Sequence, residues 1–93
     1  MASFFTTAFY HFVTINDIKN IQNIIQDYCD KTSIKGTILI ANEGINGTIS
    51  GEEIDILAFH EFIKNDPIFS KVFQLLEYKS SWSNKNPFYR MKV

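Results

Sequence analysis

Residues 34–50 read Ile34-Lys35-Gly36-Thr37-Ile38-Leu39-Ile40-Ala41, then Asn42-Glu43-Gly44-Ile45-Asn46-Gly47, then Thr48-Ile49-Ser50. The first segment is a β-branched run and the last alternates as a short strand does. Between them stand two asparagines and two glycines, residues that accept the backbone angles of a tight reversal. Asn46-Gly47 suits the positive φ of such a turn, so the stretch predicts a hairpin with an elaborated loop.

Upstream, Phe4 to about Val13 is rich in Phe, Thr, Tyr and Val. Ala8, Tyr10 and Phe12 fall on one face and Phe5, Thr7, Phe9, His11 and Val13 on the other, so it reads as a central strand apolar on both sides. The period then changes. Ile18, Ile21, Ile25 and Tyr28 recur at helical spacing after Thr14-Ile15-Asn16-Asp17, a capping arrangement, which predicts a helix over residues 15–31. Downstream, Ser50-Gly51-Glu52-Glu53 reads as a second capping box with both carboxylates in the first turn, where the helix dipole favours them. The helix that follows is expected to bury Ile54, Leu57, Ala58 and Phe62 and to stop before Pro67. Phe73 to about Trp82, with Leu75, Leu76 and Tyr78, supplies a last strand, and Ser83 to Val93 form a polar, then basic, tail.

The order βαββαβ, with right-handed crossovers, places the first and third strands in the middle of a four-stranded antiparallel sheet and both helices on one face. That is an α+β, ferredoxin-like sandwich spanning residues 1–82, with 83–93 as the start of a basic linker. The other face of the sheet is uncovered. If Ala8, Tyr10 and Phe12 face the helices, then Phe5, Phe9, His11 and Val13 line that open face, which is expected to meet another domain or partner.

Composition bounds the function. The chain has 93 residues, 45% of them hydrophobic, 15% aromatic and 20% charged, which fits one globular domain and not a disordered chain. Its apolar runs span only a few residues against the roughly 20 of a membrane helix, and the N-terminus lacks the basic region of a secretory signal. A cytoplasmic protein without membrane contact is expected. The net charge is −1, unevenly spread. Residues 51–70 carry −4, whereas residues 71–93, with Lys71, Lys79, Lys85, Arg90 and Lys92 against Glu77, carry +4. Such a tail suits an acidic partner, nucleic acid included, and equally a solvated edge strand.

Catalytic groups are sparse. His11 has apolar neighbours and no carboxylate or cysteine at a matching spacing, so packing is its expected role. His60, near Glu61 and Lys64, is expected on a solvated helix face, and without a second ligand at i+4 it lacks metal-site geometry. Cys29, the one cysteine, lies between Asp27 and Asp30 near a helix C-terminus, where charge and dipole oppose a thiolate; it reads as a packing residue, with no disulfide and no metal implied. The segment Val13-Thr14-Ile15-Asn16-Asp17 lacks the glycine-rich, arginine-bearing cradle of an acylphosphatase. Gly47-Thr48-Ile49-Ser50 lacks the aromatic residues with which an RNA-recognition motif stacks bases in its third strand. Asn42 to Gly47 could point successive N–H groups at an anion, although a turn demands the same residues.

The stretch Lys35 to Gly51, KGTILIANEGINGTISG, closely resembles the signature of the bacterial rhodanese-related tRNA uridine hydroxylase family. Phe9-Tyr10-His11-Phe12-Val13, Phe73, Lys79-Ser80 and Pro87-Phe88-Tyr89-Arg90-Met91-Lys92-Val93 are similar to that family too. The resemblance implies an N-terminal, acylphosphatase-related ferredoxin-like domain, followed in such proteins by a rhodanese domain that carries the catalytic cysteine. For the intact protein it implies 5-hydroxylation of the tRNA wobble uridine with molecular oxygen as co-substrate. Cys29 does not match the rhodanese cysteine loop, so no catalytic role passes to it, and no cofactor or independent activity is expected of these residues. The family-signature loop is Asn42, Glu43, Gly44, Asn46 and Gly47. Two roles follow as expectations. In one, the domain helps position tRNA, with Lys79, Lys85, Arg90 and Lys92 on phosphates. In the other, it docks on its own C-terminal rhodanese domain through the open face and that loop, without touching RNA.

Overall fold

The computed structural model describes residues 3–65, 73, 76–88 and 90–93. Its elements are β1 (Phe4–Phe12), α1 (Ile18–Asp30), β2 (Lys35–Ala41), β3 (Gly44–Gly51), α2 (Glu53–Asn65), β4 (Tyr78–Ser83) and β5 (Met91–Lys92). The sheet order is β4-β1-β3-β2-β5. As the βαββαβ reading requires, β1 and β3 are central, and β1, β3, β2 and β4 pair antiparallel. The tail adds a fifth strand that the sequence reading lacks: β5 runs parallel to β2, pairing Gly36 with Met91 and Thr37 with Lys92. It is held by Gly36 N–H donating to the Arg90 carbonyl at 3.0 Å and by Gln22 of α1 donating to the Val93 carbonyl at 2.8 Å.

Which side of β1 packs is settled by close fits, and it is the reverse of the expected one. Phe5, Thr7 and Phe9 are buried beneath the helices, while Ala8, Tyr10 and Phe12 point to the open face. Phe9 lies against Gly47, where an added Cβ would come within 2.9 Å of the ring, so only the glycine leaves room for it. Thr7 reaches His60 across the layer. Alternation alone could not separate two apolar faces.

The second helix is turned likewise. It buries Ile56, Phe59, His60 and Ile63, and leaves Ile54, Leu57 and Ala58 exposed and Phe62 half-buried. Both sets have helical spacing because the helix is apolar on more than one side. Helix α1 buries Ile21, Ile25 and Cys29, with Ile18 and Tyr28 packed at the margin. The Tyr28 ring stacks on Phe62 at 4.3 Å, joining the two helices.

Neither capping box forms. Helix α1 begins after Asp17, which makes no side-chain cap, and Ile15 is buried in the connector instead. Ser50 is a strand residue that accepts a hydrogen bond from Thr6 Oγ1 at 2.9 Å, and α2 opens with Glu52 supplying its carbonyl to the Ile56 N–H. Glu53 and Asp55 occupy the first turn, as the dipole favours. The expected stop before Pro67 and the expected strand residue Leu75 lie outside the described residues. Phe73 is helical and buried, so the last strand starts at Tyr78 and not at Phe73.

The hairpin turn is Asn42-Glu43, not Asn46-Gly47, which are ladder residues of β3 opposite Leu39 and Ile38. Asn42 fastens this turn to the β1–α1 connector: its carbonyl accepts from the Ile15 N–H at 2.9 Å and its side-chain amide donates to the Ile15 carbonyl at 3.2 Å.

Candidate functional site

The uncovered face of the sheet carries an exposed set of aromatic, hydroxyl and cationic side chains. Register sorts them into cross-strand rows. One row is Tyr10, Asn46 and Leu39; the next is Lys79, Ala8, Thr48, Thr37 and Lys92; a third is Ser81, Thr6, Ser50 and Lys35, in which Ser50 is buried and bonded to Thr6. Phe12 sits beyond the first row, paired with Gly44. The face is thus apolar and aromatic toward the Asn42-Glu43 turn, hydroxyl-rich in the middle, and edged by lysines.

Tyr10, Phe12 and Leu39 are 69, 79 and 62% exposed. The two rings meet edge to face, with centroids 5.7 Å apart and planes at 72°. Large apolar side chains on central strands lose roughly 1.5–3 kcal/mol each by staying in water. A groove of about 260 Å³ runs on the β2 side of the rings, bordered by Leu39, Ala41 and Glu43. A wider one, about 730 Å³, runs on the β4 side, bordered by Ala8, Thr48, Glu77 and Lys79.

The four cations expected on phosphates do not form one cluster. Lys79 lies on edge strand β4 and Lys92 on β5, at opposite ends of the same row, four strand spacings or about 19 Å apart. Lys85 and Arg90 are exposed beside those edges, and the Lys85 carbonyl accepts from Ser83 Oγ at 2.7 Å. Of the signature loop, Asn42, Glu43 and Asn46 are exposed and Gly44 and Gly47 are buried in the sheet. Lys35 reaches this face as well, and it was missed because its position counted only as the start of a strand.

Among the described residues, the opposite face holds two buried titratable groups, His60 and Cys29. His60 is 3% exposed, so the solvated role expected for it does not hold. Its Nε2 shares a 2.8 Å hydrogen bond with Thr7 Oγ1, and its ring stacks on Tyr78 at 3.9 Å. Nδ1 has no partner among the described residues. Burial, and secondarily Lys64, lower its pKa from 6.5 to about 4, so the ring is neutral near pH 7. Nothing in sequence pairs Thr7 with a residue 53 positions away. Cys29 is 1% exposed, and burial, with Asp30 second, pushes its thiol up to about 12. That favours the inert thiol over the nucleophilic thiolate. Among the described residues no three His, Cys, Asp or Glu side chains gather as a metal site. No described helix is long and apolar enough to cross a membrane.

The connector after β1, where an acylphosphatase-type cradle would stand, has two of its backbone donors turned to the hairpin. Val13 N–H donates to Glu43 and Ile15 N–H to Asn42, at 3.0 and 2.9 Å.

The sheet order and the two helices packed on one face define an acylphosphatase-like ferredoxin fold. Acylphosphatase from Bacillus subtilis superposes with a TM-score of 0.65 at 17% identity, covering 99% of this chain and 98% of its own. Full-length HypF in a phosphate- and nucleotide-bound form gives 0.61 at 20%, covering 97% of this chain and 11% of its own. Within that class, the chain belongs to the family of the UPF0176 acylphosphatase like domain, which matches residues 4–93. A relative named tRNA uridine(34) hydroxylase from Rhizobium leguminosarum bv. trifolii is 44% identical over 90 residues, covering 97% of this chain and 28% of that protein. One of the same name from Acaryochloris marina is 43% identical over 93 residues, covering 100% and 29%. The chain therefore spans less than a third of the length of these curated relatives.

Proposed function

We propose that this chain serves as the tRNA-positioning domain of a protein that hydroxylates the wobble uridine of tRNA at C5, using molecular oxygen. The bond-making groups belong to a rhodanese domain elsewhere in that polypeptide. The single observation behind this reading is the uncovered sheet face edged by Lys79 and Lys92, in a chain whose relatives are named for a tRNA substrate. Cations at both edges suit a polyanion laid across the strands. They supply affinity that is independent of sequence and sensitive to salt, because each neutralised phosphate releases counterions. The inert Cys29 and the buried, neutral His60 support a supporting role over a catalytic one.

The test uses the full-length protein with Lys79, Lys85, Arg90 and Lys92 all changed to Ala. Binding of unmodified tRNA, measured at 50 and 200 mM salt, is expected to weaken about tenfold or more at the lower salt. The slope of log affinity against log salt is expected to flatten by up to about 3. Unchanged affinity and slope would overturn the reading.

A further inference from the structure

We infer that Tyr10 and Phe12, with Asn46 beside them, form a stacking platform for unpaired nucleobases of the bound RNA; the inference rests on the RNA reading above and makes it specific to single-stranded segments. The base-stacking mode looked for in the third strand has no aromatic residues there. The structure instead puts two aromatics on β1, two residues apart on the open face, 69 and 79% exposed. Neither ring joins the buried core, which lies wholly on the other side of the sheet.

The neighbours favour RNA over a protein surface. Asn46 stands between Tyr10 and Leu39 in one row. Its side-chain amide offers donor and acceptor together, as the edge of a base requires. The adjoining row, Lys79-Ala8-Thr48-Thr37-Lys92, is small and hydroxylated in the middle and cationic at both ends, which sets hydroxyl donors and acceptors between two cations that suit phosphates. Glu43 and Glu77 border the two grooves beside the rings. Those carboxylates repel phosphate locally, so the backbone is directed toward Lys79 and Lys92 while bases reach the rings. Aromatic platforms within a basic track are how single strands are held with little sequence preference. A duplex keeps its bases stacked internally and cannot use the rings.

The experiment measures binding of an anticodon stem-loop RNA, and of a fully paired RNA duplex of equal length, to the full-length protein carrying Tyr10→Ala or Phe12→Ala. Both side chains are exposed, so the fold is expected to persist, and an unchanged circular dichroism spectrum checks this. Stem-loop affinity should fall about tenfold to a hundredfold with the salt slope intact, duplex affinity should stay the same, and Phe12→Tyr should retain stem-loop binding. Equal loss for stem-loop and duplex, or no loss for either, overturns the platform. If the four-cation variant weakens binding and the aromatic variants do not, the RNA reading stands and the platform alone fails. If the aromatic variants leave RNA binding intact but split one shared melting transition of the parent into separate transitions for this domain and the rest of the protein, the face docks protein, and the platform is overturned.

Discussion

Gly36→Ala should unfold the domain or lower its melting temperature by more than about 15 °C. Gly36 has φ +146°, a region that side-chain-bearing residues rarely enter. A Cβ built there would stand 2.1 Å from the Thr48 carbonyl oxygen and 2.8 Å from the Ile49 Cα. Both are backbone atoms of the central strand β3, so relief requires β2 to move away from it. That movement would also break the Gly36 N–H bond to Arg90, by which β5 is attached. Clashes of this kind belong to the rare class costing over about 4 kcal/mol, a large part of the 5–15 kcal/mol typical of a folded domain. For a chain this short, each kcal/mol shifts the midpoint by about 4–8 °C. Gly51→Ala is the control, since its Cβ would meet nothing nearer than 3.6 Å. Thermal melts followed by circular dichroism compare the two, and a Gly36→Ala midpoint within about 5 °C of the parent would contradict the account.

Acid should destabilise the fold through His60. Its folded pKa of about 4 lies below the ordinary 6.5, so about one pH unit or more above 6.5 the ring is neutral in both states and contributes almost no pH dependence. As pH falls from 6.5 toward 4 the unfolded chain takes up the proton first, and stability drops by roughly 3 kcal/mol over the window. Below about pH 4 both states are protonated and this contribution levels off. The expected change between pH 6.5 and 5 is about 2 kcal/mol, read from urea midpoints. Replacing His60 by Phe together with Thr7 by Val removes the titrating ring without leaving the buried Thr7 hydroxyl unpaired. That double variant should lose about 2 kcal/mol less over the same range. Parallel pH profiles for parent and variant would show that His60 is not the group responsible.

The layout of the fold was legible because its local periods are clean. Phe4–Phe12 and Lys35–Ala41 have strand composition, Ile18 to Tyr28 repeats at helical spacing, and two crossovers leave few ways to arrange four strands. Facing was not legible where both sides are apolar. On β1, Phe5 and Phe9 compete with Tyr10 and Phe12; on α2, Ile56, Phe59 and Ile63 compete with Ile54, Leu57 and Phe62. The decision rests on contacts between distant residues, such as Phe9 over Gly47 and Thr7 with His60, which no local pattern reveals. The turn was misplaced for a related reason. Gly47 is needed for the space above it in the sheet, and Gly44, at φ +155° beside the His11 carbonyl, takes the unusual backbone angle. At the candidate site, charge counted along the chain grouped Lys79 with Lys92, whereas the two-residue strand β5 carries Lys92 to the far edge.

Ultraviolet cross-linking of the full-length protein to tRNA, with the adducts located by mass spectrometry, tests most directly whether the bare side of this sheet carries the RNA. Adducts at Tyr10 or Phe12, accompanied by peptides containing Lys79 or Lys92, are the result the account predicts. Adducts confined to polypeptide outside residues 4–93, under conditions where the tRNA is fully bound, would contradict it.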